Sequence, residues 1–165
     1  MHLHGLPLPV RRATALTQHG QYVPSNLIDG NPRSFYASSD TPRAWPWVQI
    51  ELNVECEVNE VKINNREDCC GGRLSDVEVR VGNEEVTSHD QKGLSTNELC
   101  GKFDGPGRNA EVVVIECTTH VTGKYVTIQI KDRTVTAMNI GEVEVFGTIL
   151  GNKKVEICNI IINKI

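Results

Sequence analysis

Two adjacent cysteines with an arginine on either side are the residues of this chain whose types and spacing most suggest chemistry. Cys69 and Cys70 lie within residues 65–73, between Arg66 and Arg73. If the two sulfurs are bonded to each other, they close a tight ring and present a rigid apolar plate, while each guanidinium is a planar multiple donor. Such a plate beside fixed donors suits a sugar, which has a face of C–H groups and a rim of hydroxyls. The alternative is that the cysteines are free or pair elsewhere and that the arginines are solvated.

The chain lacks the residue patterns that are typical of enzymes and of zinc sites. Serine, histidine and aspartate all occur, but no Gly-x-Ser-x-Gly segment places a nucleophile. The carboxylates of Glu84 and Glu85 lie in a polar turn, which predicts a solvated hairpin rather than a catalytic pair. There is no C-x-x-C, and only His120 follows a cysteine closely. We therefore expect a binding protein and not an enzyme.

Composition limits the partners and the compartment. The 165 residues suit one domain, and 17 Lys and Arg against 21 Asp and Glu give a net charge of −4. This balance argues against nucleic acid and against anionic lipid as partners. No apolar run of about 18 residues is present, so we expect no membrane insertion. Residues 1–10 lack the features of a secretory signal, yet six cysteines favour an oxidising, extracellular location.

The elements that must position the cysteine run have the period of β-strands. Short alternating apolar segments are separated by clusters of Gly, Asn, Asp and Pro, a pattern typical of an all-β sandwich or barrel with long loops at one end. We expect residues 1–12 to be an N-terminal extension, residues 13–149 the domain, and residues 150–165 a tail that is either an extra strand or disordered. Trp47 is expected in the core, whereas Trp45 is left open. The predicted strands are residues 48–52, 58–63, 77–81, 112–115, 125–130 and 142–146.

Over about residues 13–149 the sequence resembles the fucose-binding F-type lectins, or fucolectins. The segments Ser25 to Asn31 and Pro46 to Leu52 occur widely among discoidin relatives, but Arg-x-Asp-Cys-Cys-x-x-Arg at residues 66–73 is close to private to this family. The resemblance implies a jelly-roll β-sandwich of the discoidin, galactose-binding-like kind, with long loops forming the binding face. It also implies that Arg66 and Arg73 donate to sugar oxygens.

The resemblance assigns further roles around the arginines. Cys69 and Cys70 correspond to a vicinal disulfide against which the apolar edge of the sugar rests. We interpret Asp68 as a carboxylate that holds an arginine fork in place rather than as a ligand, although an ordinary turn-forming aspartate is the alternative. The family positions of Phe35 and Tyr36 imply that both side chains line the shallow sugar-binding cup. The alternative is packing in the core, which is the commoner place for such a pair.

One family residue has no counterpart here. The histidine that completes the fucose site is replaced by Ser39 or Asp40, depending on how the loop is aligned. Neither side chain reproduces a neutral imidazole, so the site binds a different sugar, binds fucose weakly or has lost binding. His19 and Tyr22 are weak candidates for a secondary sugar contact, and a solvated loop is slightly favoured for them.

The resemblance also implies a structural Ca²⁺ that fixes the loops of the sugar site. Oxygen donors in a turn are the ligands that Ca²⁺ prefers, although an Asx turn without metal would have the same sequence. The implied ligand positions are Asn26, Asp29, Asn31, Ser38 or Ser39, Gly141 and Glu142.

Of the other four cysteines, two have counterparts in the family and two do not. Cys100 and Cys117 match a long-range bridge of the family, which would contribute on the order of 3 kcal/mol by loop entropy. Cys56 and Cys158 have no family counterpart, and whether they bridge or remain free stays open.

Together these observations predict a secreted, Ca²⁺-stabilised lectin for fucosylated or related glycans. Weak single sites would gain avidity by clustering, for example in a homo-oligomer. The alternative is a discoidin-like adhesion or protein-interaction module with a degenerate sugar site.

Overall fold

The computed structural model describes residues 5–40, 45–87 and 96–151, together with the backbone of residues 155–157. Nine strands and two short 3-10 helices make up the chain in this part. None of the helices in the described part is long and apolar enough to cross a bilayer. In chain order the elements are β1 (Val10–Ala15), η1 (Pro24–Ile28), β2 (Tyr36–Ala37), β3 (Trp47–Asn64), η2 (Gly71–Arg73), β4 (Val77–Gly82), β5 (Glu98–Phe103), β6 (Val112–Ile130), β7 (Asn139–Ile140), β8 (Glu142–Leu150) and β9 (Val155–Ile157).

Two long strands, β3 and β6, run antiparallel through the whole domain. The first half of β3 pairs with β1 and with the second half of β6, which in turn pairs with β4. The second half of β3 pairs with β8 and with the first half of β6. The register shifts between Glu51 and Cys56 and again between Val58 and Glu60, and such irregularities bend a strand. Each long strand therefore contributes to both layers of a β-sandwich, as the all-β prediction requires.

The core consists of the apolar side chains that alternate along these strands. Because successive side chains of a strand point to opposite faces, one face of each strand is buried. Ile50, Val61, Val79, Ile128 and Val145 are fully buried members of a single cluster. Trp47 is also buried, beside Val86 and Leu16, which confirms its predicted place in the core.

All six predicted strands are confirmed in position. In two cases, however, two successive predicted strands are parts of one long strand. Residues 48–52 and 58–63 both lie in β3, and residues 112–115 and 125–130 both lie in β6. The breaks in alternation that looked like loops are polar, exposed stretches of strand at the bends. Strand β5 was not predicted.

The expected boundary after residue 12 is wrong. β1 begins at Val10 and pairs with β3, and Leu8 is buried and donates its N–H to the Val145 carbonyl. Leu8 and residues 10–12 therefore belong to the sandwich. At the other end β9 pairs with β8, so the expected tail includes an extra strand; residues 158–165 lie outside the described part of the chain.

Candidate functional site

The loop with the two cysteines leaves the end of β3 and is held by a buried asparagine. Asn65 donates through Nδ2 to the carbonyls of Gly71 and Arg108, both at 2.9 Å, and its Oδ1 accepts the Arg66 N–H. Asn109 Oδ1 accepts the Gly71 N–H at 2.8 Å. Two asparagines thus replace regular ladder bonds and fix the loop against residues 108–109.

Gly71 is required by this close approach. A Cβ atom placed on Gly71 would lie 2.3 Å from the carbonyl carbon of Arg108, inside van der Waals contact with backbone that has no room to move. The loop therefore packs directly on the segment before β6, which gives it a defined position relative to the sandwich.

Cys69 and Cys70 are joined by a disulfide, with their Cα atoms 3.7 Å apart. Both residues are partly exposed. Cys70 has a φ of 65°, in the left-handed region that residues with a Cβ seldom adopt. It immediately precedes η2, and Arg73 N donates back to the Cys70 carbonyl at 3.0 Å. The disulfide and the arginine that follows it are consequently parts of one compact turn.

Arg66 is clamped from two directions. Its Nε and Nη2 donate to the two carboxylate oxygens of Asp68 at 2.6 and 2.9 Å, a bidentate geometry with directional strength. The guanidinium carbon also lies 3.8 Å from the centroid of the Phe35 ring. The hydrogen bond from Arg66 lowers the pKa of Asp68 to about 2. Arg66 is therefore held in one orientation, and its Nη1 forms no hydrogen bond with the described residues.

The aromatic contact continues away from Arg66 as a stack. The Tyr22 ring lies 4.4 Å from the Phe35 ring at an interplanar angle of 15°, and the His19 ring lies 6.3 Å from Tyr22 at 7°. A β-bridge joins the backbones of His19 and Tyr22. Residues 18–21 are exposed, as the favoured solvated loop predicts, whereas Tyr22 is half-buried against Phe35.

Arg73 is the less constrained of the two arginines. It is exposed, and its side chain forms no hydrogen bond or ion pair with the residues that the structure describes. Its donors are therefore available to a ligand, whereas those of Arg66 are partly used by Asp68.

Tyr36 departs from its predicted role. It is fully buried, and its hydroxyl donates to the Thr17 carbonyl at 2.7 Å; burial raises its pKa. Because Phe35 and Tyr36 are neighbours in an extended segment, their side chains point to opposite sides. Phe35 faces Arg66 and Tyr36 faces the core, so the expectation that Tyr36 lines the cup is corrected.

Ser39 and Asp40, which stand where the family has its histidine, are both engaged. The Ser39 hydroxyl donates to the Gln18 carbonyl at 2.7 Å, and its N–H donates to the Thr17 hydroxyl. Asp40 is exposed, and its Oδ1 accepts a hydrogen bond from Thr136 Oγ1 at 3.2 Å. Ser39 thus fixes its own loop, and Asp40 is the more accessible of the two side chains.

A second cluster, at the turn after η1, contains two carboxylates. Asp29 accepts the Asn31 N–H at 2.8 Å and the Ser34 hydroxyl at 2.6 Å. These hydrogen bonds outweigh the opposing effect of burial and lower the pKa of Asp29. Glu142, at the start of β8, accepts the Gly30 N–H through Oε1 at 3.1 Å. The turn and the strand are therefore linked through Glu142.

One oxygen of the Glu142 carboxylate is left unpaired within the described part of the chain. Its Oε2 is buried and has no hydrogen-bond partner among the described residues. Burial, together with the neighbouring charge of Asp29, raises the pKa of Glu142 to about 7. A buried anionic oxygen with a second carboxylate beside it fits a hard cation such as Ca²⁺, which takes oxygen ligands.

The other predicted cation ligands have mixed roles. Side-chain atoms of Asn26, Asn31 and Ser38 are bonded to the Phe35 carbonyl, the Arg33 N–H and the Met138 N–H respectively. A Cβ on Gly141 would lie 2.8 Å from the Pro32 carbonyl oxygen. No group of three or more His, Cys, Asp or Glu residues that suits a metal occurs in the described ranges. Asp29 and Glu142 are the two carboxylates among the ligand positions that the resemblance implies.

Comparison with known proteins decides the family. Residues 12–144 match the F5/8 type C domain. The chain is 33% identical over 125 residues to a fucolectin of Anguilla anguilla, covering 73% of this chain and 74% of the relative. The chain belongs to the F-type lectin, or fucolectin, family.

Two further relatives show how far the likeness extends. This F-type lectin chain is 32% identical over 124 residues to a pentraxin fusion protein of Xenopus laevis, covering 73% of the chain and 28% of the relative. It superposes with a TM-score of 0.75 and 26% identity on the f-lectin of striped bass serum, covering 93% of the chain and 52% of that structure. The chain thus spans about a quarter and about half of these two proteins.

The disulfides of this F-type lectin chain include the long-range pair. Cys100 on β5 is bonded to Cys117 on β6, the pairing implied by the family resemblance. Cys56 is buried in β3, with its Sγ 3.5 Å from the Val54 carbonyl. Cys158 lies outside the described residues, so the question of a Cys56–Cys158 bridge falls there.

Sequence reasoning missed the residues that hold the F-type lectin loop in place. Asn65 and Asn109 are separated by 44 positions in the sequence, and both bond the backbone of the cysteine loop. The available sequence signal for Asn65 was its position: a polar residue directly before Arg66, at the start of the motif. Nothing in the local sequence marks Asn109, because its role depends on the pairing of β3 with β6.

Proposed function

We propose that this chain is a carbohydrate-binding lectin that recognises fucose-type glycans through Arg66, Arg73 and the Cys69–Cys70 disulfide. The observation that carries the proposal is the constrained Arg66, which Asp68 and Phe35 hold in the same short loop as the Cys69–Cys70 disulfide. A preoriented donor loses little conformational entropy when it binds a hydroxyl. The family supports the proposal, since its relatives include fucolectins.

The roles of the side chains follow from this arrangement. Arg66 offers Nη1, and Arg73 offers an unoccupied guanidinium, so together they donate to neighbouring sugar oxygens. The disulfide accepts the apolar edge of the sugar, while the Phe35 ring, stacked between Arg66 and Tyr22, supports the guanidinium. The site has no convergent nucleophile or acid–base pair, so binding rather than turnover is the proposed activity.

The proposal is tested by measuring binding of the folded chain to an array of neutral glycans, with α-L-fucosides included. We expect fucosylated glycans to bind, and Arg66→Ala to weaken them by roughly thirtyfold or more, as loss of a central binding residue does. Arg11→Ala is the control, because Arg11 is exposed on β1 and makes only a 3.5 Å contact to Glu51. Unchanged binding by Arg66→Ala with an unchanged melting temperature would refute the site.

The bound cation is a separate part of the proposal. Ca²⁺ held by Asp29 and Glu142 would join the turn after η1 to the start of β8. Because Asn26 in η1, just before that turn, bonds the carbonyl of Phe35, the cation would also fix the ring that packs on Arg66. Its role is to position the sugar site rather than to contact the sugar.

A second candidate is favoured by the engagement of Ser39. With its hydroxyl bonded to Gln18, Ser39 does not offer the imidazole-like contact of the family. A chain that binds no glycan on the array while remaining folded would be a discoidin-like adhesion or protein-interaction module. We also propose secretion, because two disulfides form in the described part of the chain, and clustering of sites in a homo-oligomer.

A further inference from the structure

An indole with two cations lies in the loops beside the sugar site. The Lys131 ammonium is 4.5 Å from the centroid of the Trp45 ring, and the Arg133 guanidinium carbon is 5.4 Å from it. Trp45 and Lys131 are partly exposed and Arg133 is exposed. These three residues are called the cationic indole patch.

The two cations of the patch have no carboxylate partner among the described residues. Asp132 lies between them in sequence, but its oxygens accept from the Thr134 N–H, the Thr134 hydroxyl and the Ser75 hydroxyl. Glu78, the other acidic group on the neighbouring strand, is bonded to Lys102 and Arg80. Two like charges on one ring repel each other. Glu78 attracts Lys131 electrostatically without an ion pair between them, and no acidic group among the described residues forms an ion pair with Arg133.

The patch is tied to the two halves of the sugar site. Lys131 N donates to the Asp76 carbonyl at 2.7 Å, and Ser75 Oγ donates to Asp132 at 3.0 Å. Ser75 and Asp76 follow Arg73 by two and three residues. On the far side Thr136 donates to Asp40. The loop that carries Lys131 and Arg133 therefore spans from the arginine turn to the position of the missing histidine.

We propose that the cationic indole patch binds an anionic substituent, a sulfate or a carboxylate, on the sugar next to the one held by Arg66 and Arg73. The proposal rests on the lectin function proposed above. Charge-assisted hydrogen bonds from Lys131 and Arg133 would hold the anion, and the indole face would pack on the C–H face of the sugar that carries it. The preferred ligand is then an acidic oligosaccharide with a neutral sugar in the disulfide cup.

The chain as a whole is negatively charged, so the attraction is local. A net charge of −4 gives no general affinity for polyanions. The preference for an acidic glycan should therefore require the adjoining neutral sugar, and it should weaken between 0.05 and about 0.5 M salt as the exposed charges are screened.

The experiment compares matched oligosaccharides that differ in a single substituent: neutral, sulfated, and carrying a uronic acid. At low salt we expect the sulfated or the carboxylated form to bind about fivefold more tightly than the neutral form. Which of the two binds better identifies the anion. Equal binding of all three would overturn the patch while leaving the lectin function in place.

The variant Lys131→Gln with Arg133→Gln separates the patch from the cup. It should abolish the preference for the acidic form and leave the affinity for the neutral form unchanged, whereas Lys102→Gln should keep the preference. A preference that survives the double substitution would refute the proposal. If acidic glycans bind through the patch even in Arg66→Ala, the patch is supported and the proposed cup is refuted. If the native chain binds none of the oligosaccharides, both the patch and the cup are refuted.

Discussion

Two arginine–carboxylate clusters in this molecule are built from the same groups in opposite ways. In the first, the carboxylate of Glu51 is 5% exposed and is contacted by the exposed side chains of Arg11 and Arg12 and by the partly exposed side chain of Lys124. In the second, Arg66 is 17% exposed and the carboxylate of Asp68 is 65% exposed. The buried partner is an anion in one cluster and a cation in the other.

The difference distinguishes a cluster that joins strands from the cluster that is proposed to bind a glycan. Glu51 uses its acceptors on three cations from β1 and β6, so this cluster joins strands and leaves no aimed donor. Asp68 sits outside and orients a guanidinium that keeps a free donor edge. A buried anion surrounded by cations stabilises the fold, whereas a partly buried cation steered by an outer anion prepares a site.

The largest effect is expected from a substitution that disrupts the first cluster. Glu51→Gln removes the buried negative charge and leaves three cations facing one another, so we expect the free energy of unfolding to fall by about 2 kcal/mol. Denaturant unfolding measures the loss. Sugar binding should be retained below the transition, and a variant that lost binding but not stability would contradict this division of roles.

Asp68→Asn should have the opposite profile. The amide accepts less strongly and loses the bidentate charge-assisted contact, so Arg66 becomes less well oriented and glycan affinity should drop about tenfold. Because Asp68 is on the surface, the melting temperature should change little. Isothermal titration with a binding glycan, with Glu67→Gln as the neighbouring control, checks this prediction.

The pH dependence of stability should separate the clusters again. The hydrogen bond from Arg12 lowers the pKa of Glu51 below its ordinary value of 4.5. Its contribution is therefore complete above pH 4.5 and is lost as the pH falls through the folded-state pKa. The difference in unfolding free energy between the native chain and Glu51→Gln should shrink from pH 5 towards pH 3. A constant difference would show that ionised Glu51 is not the stabilising group.

Glu142 sharpens the comparison, because it is a buried carboxylate that forms no ion pair with the described residues. Its folded-state pKa of about 7 lies above the ordinary 4.5, so without metal the chain should lose stability as the pH rises from about 4.5 to 7. Calcium requires the ionised carboxylate, and the rise in melting temperature on adding calcium should therefore grow over the same range. Thermal unfolding with calcium and with chelator measures it; Glu142→Gln should remove the rise, and a rise that persists would refute the assigned ligand.

Local sequence predicted the parts of the molecule whose cause is local. Alternation located β4 and β8, and the arginine–cysteine motif located the candidate loop, including the contact of Asp68 with Arg66. Two errors came from contacts that alternation alone does not decide. Tyr36 faces the core because Phe35 takes the outward position, and residues 52–58 remain strand because pairing with β8 extends β3 through its bends. The role of Asn109 and the assembly of the cationic indole patch could not be predicted, because each depends on contacts between loops that are far apart in sequence.

The bonds from Asn65 and Asn109 to the backbone of Gly71 limit how this site can be re-engineered. If residues 66–73 alone were transplanted into another β-scaffold, they would lack the backbone of residues 108–109 on which Gly71 packs. They would also lack Asn65, whose side-chain amide bonds both loops. Ser39 and Asp40 lie outside that unit, on a loop with its own hydrogen bonds. Libraries that seek a new glycan preference should therefore vary residues 39–40 and leave the asparagine-held loop intact.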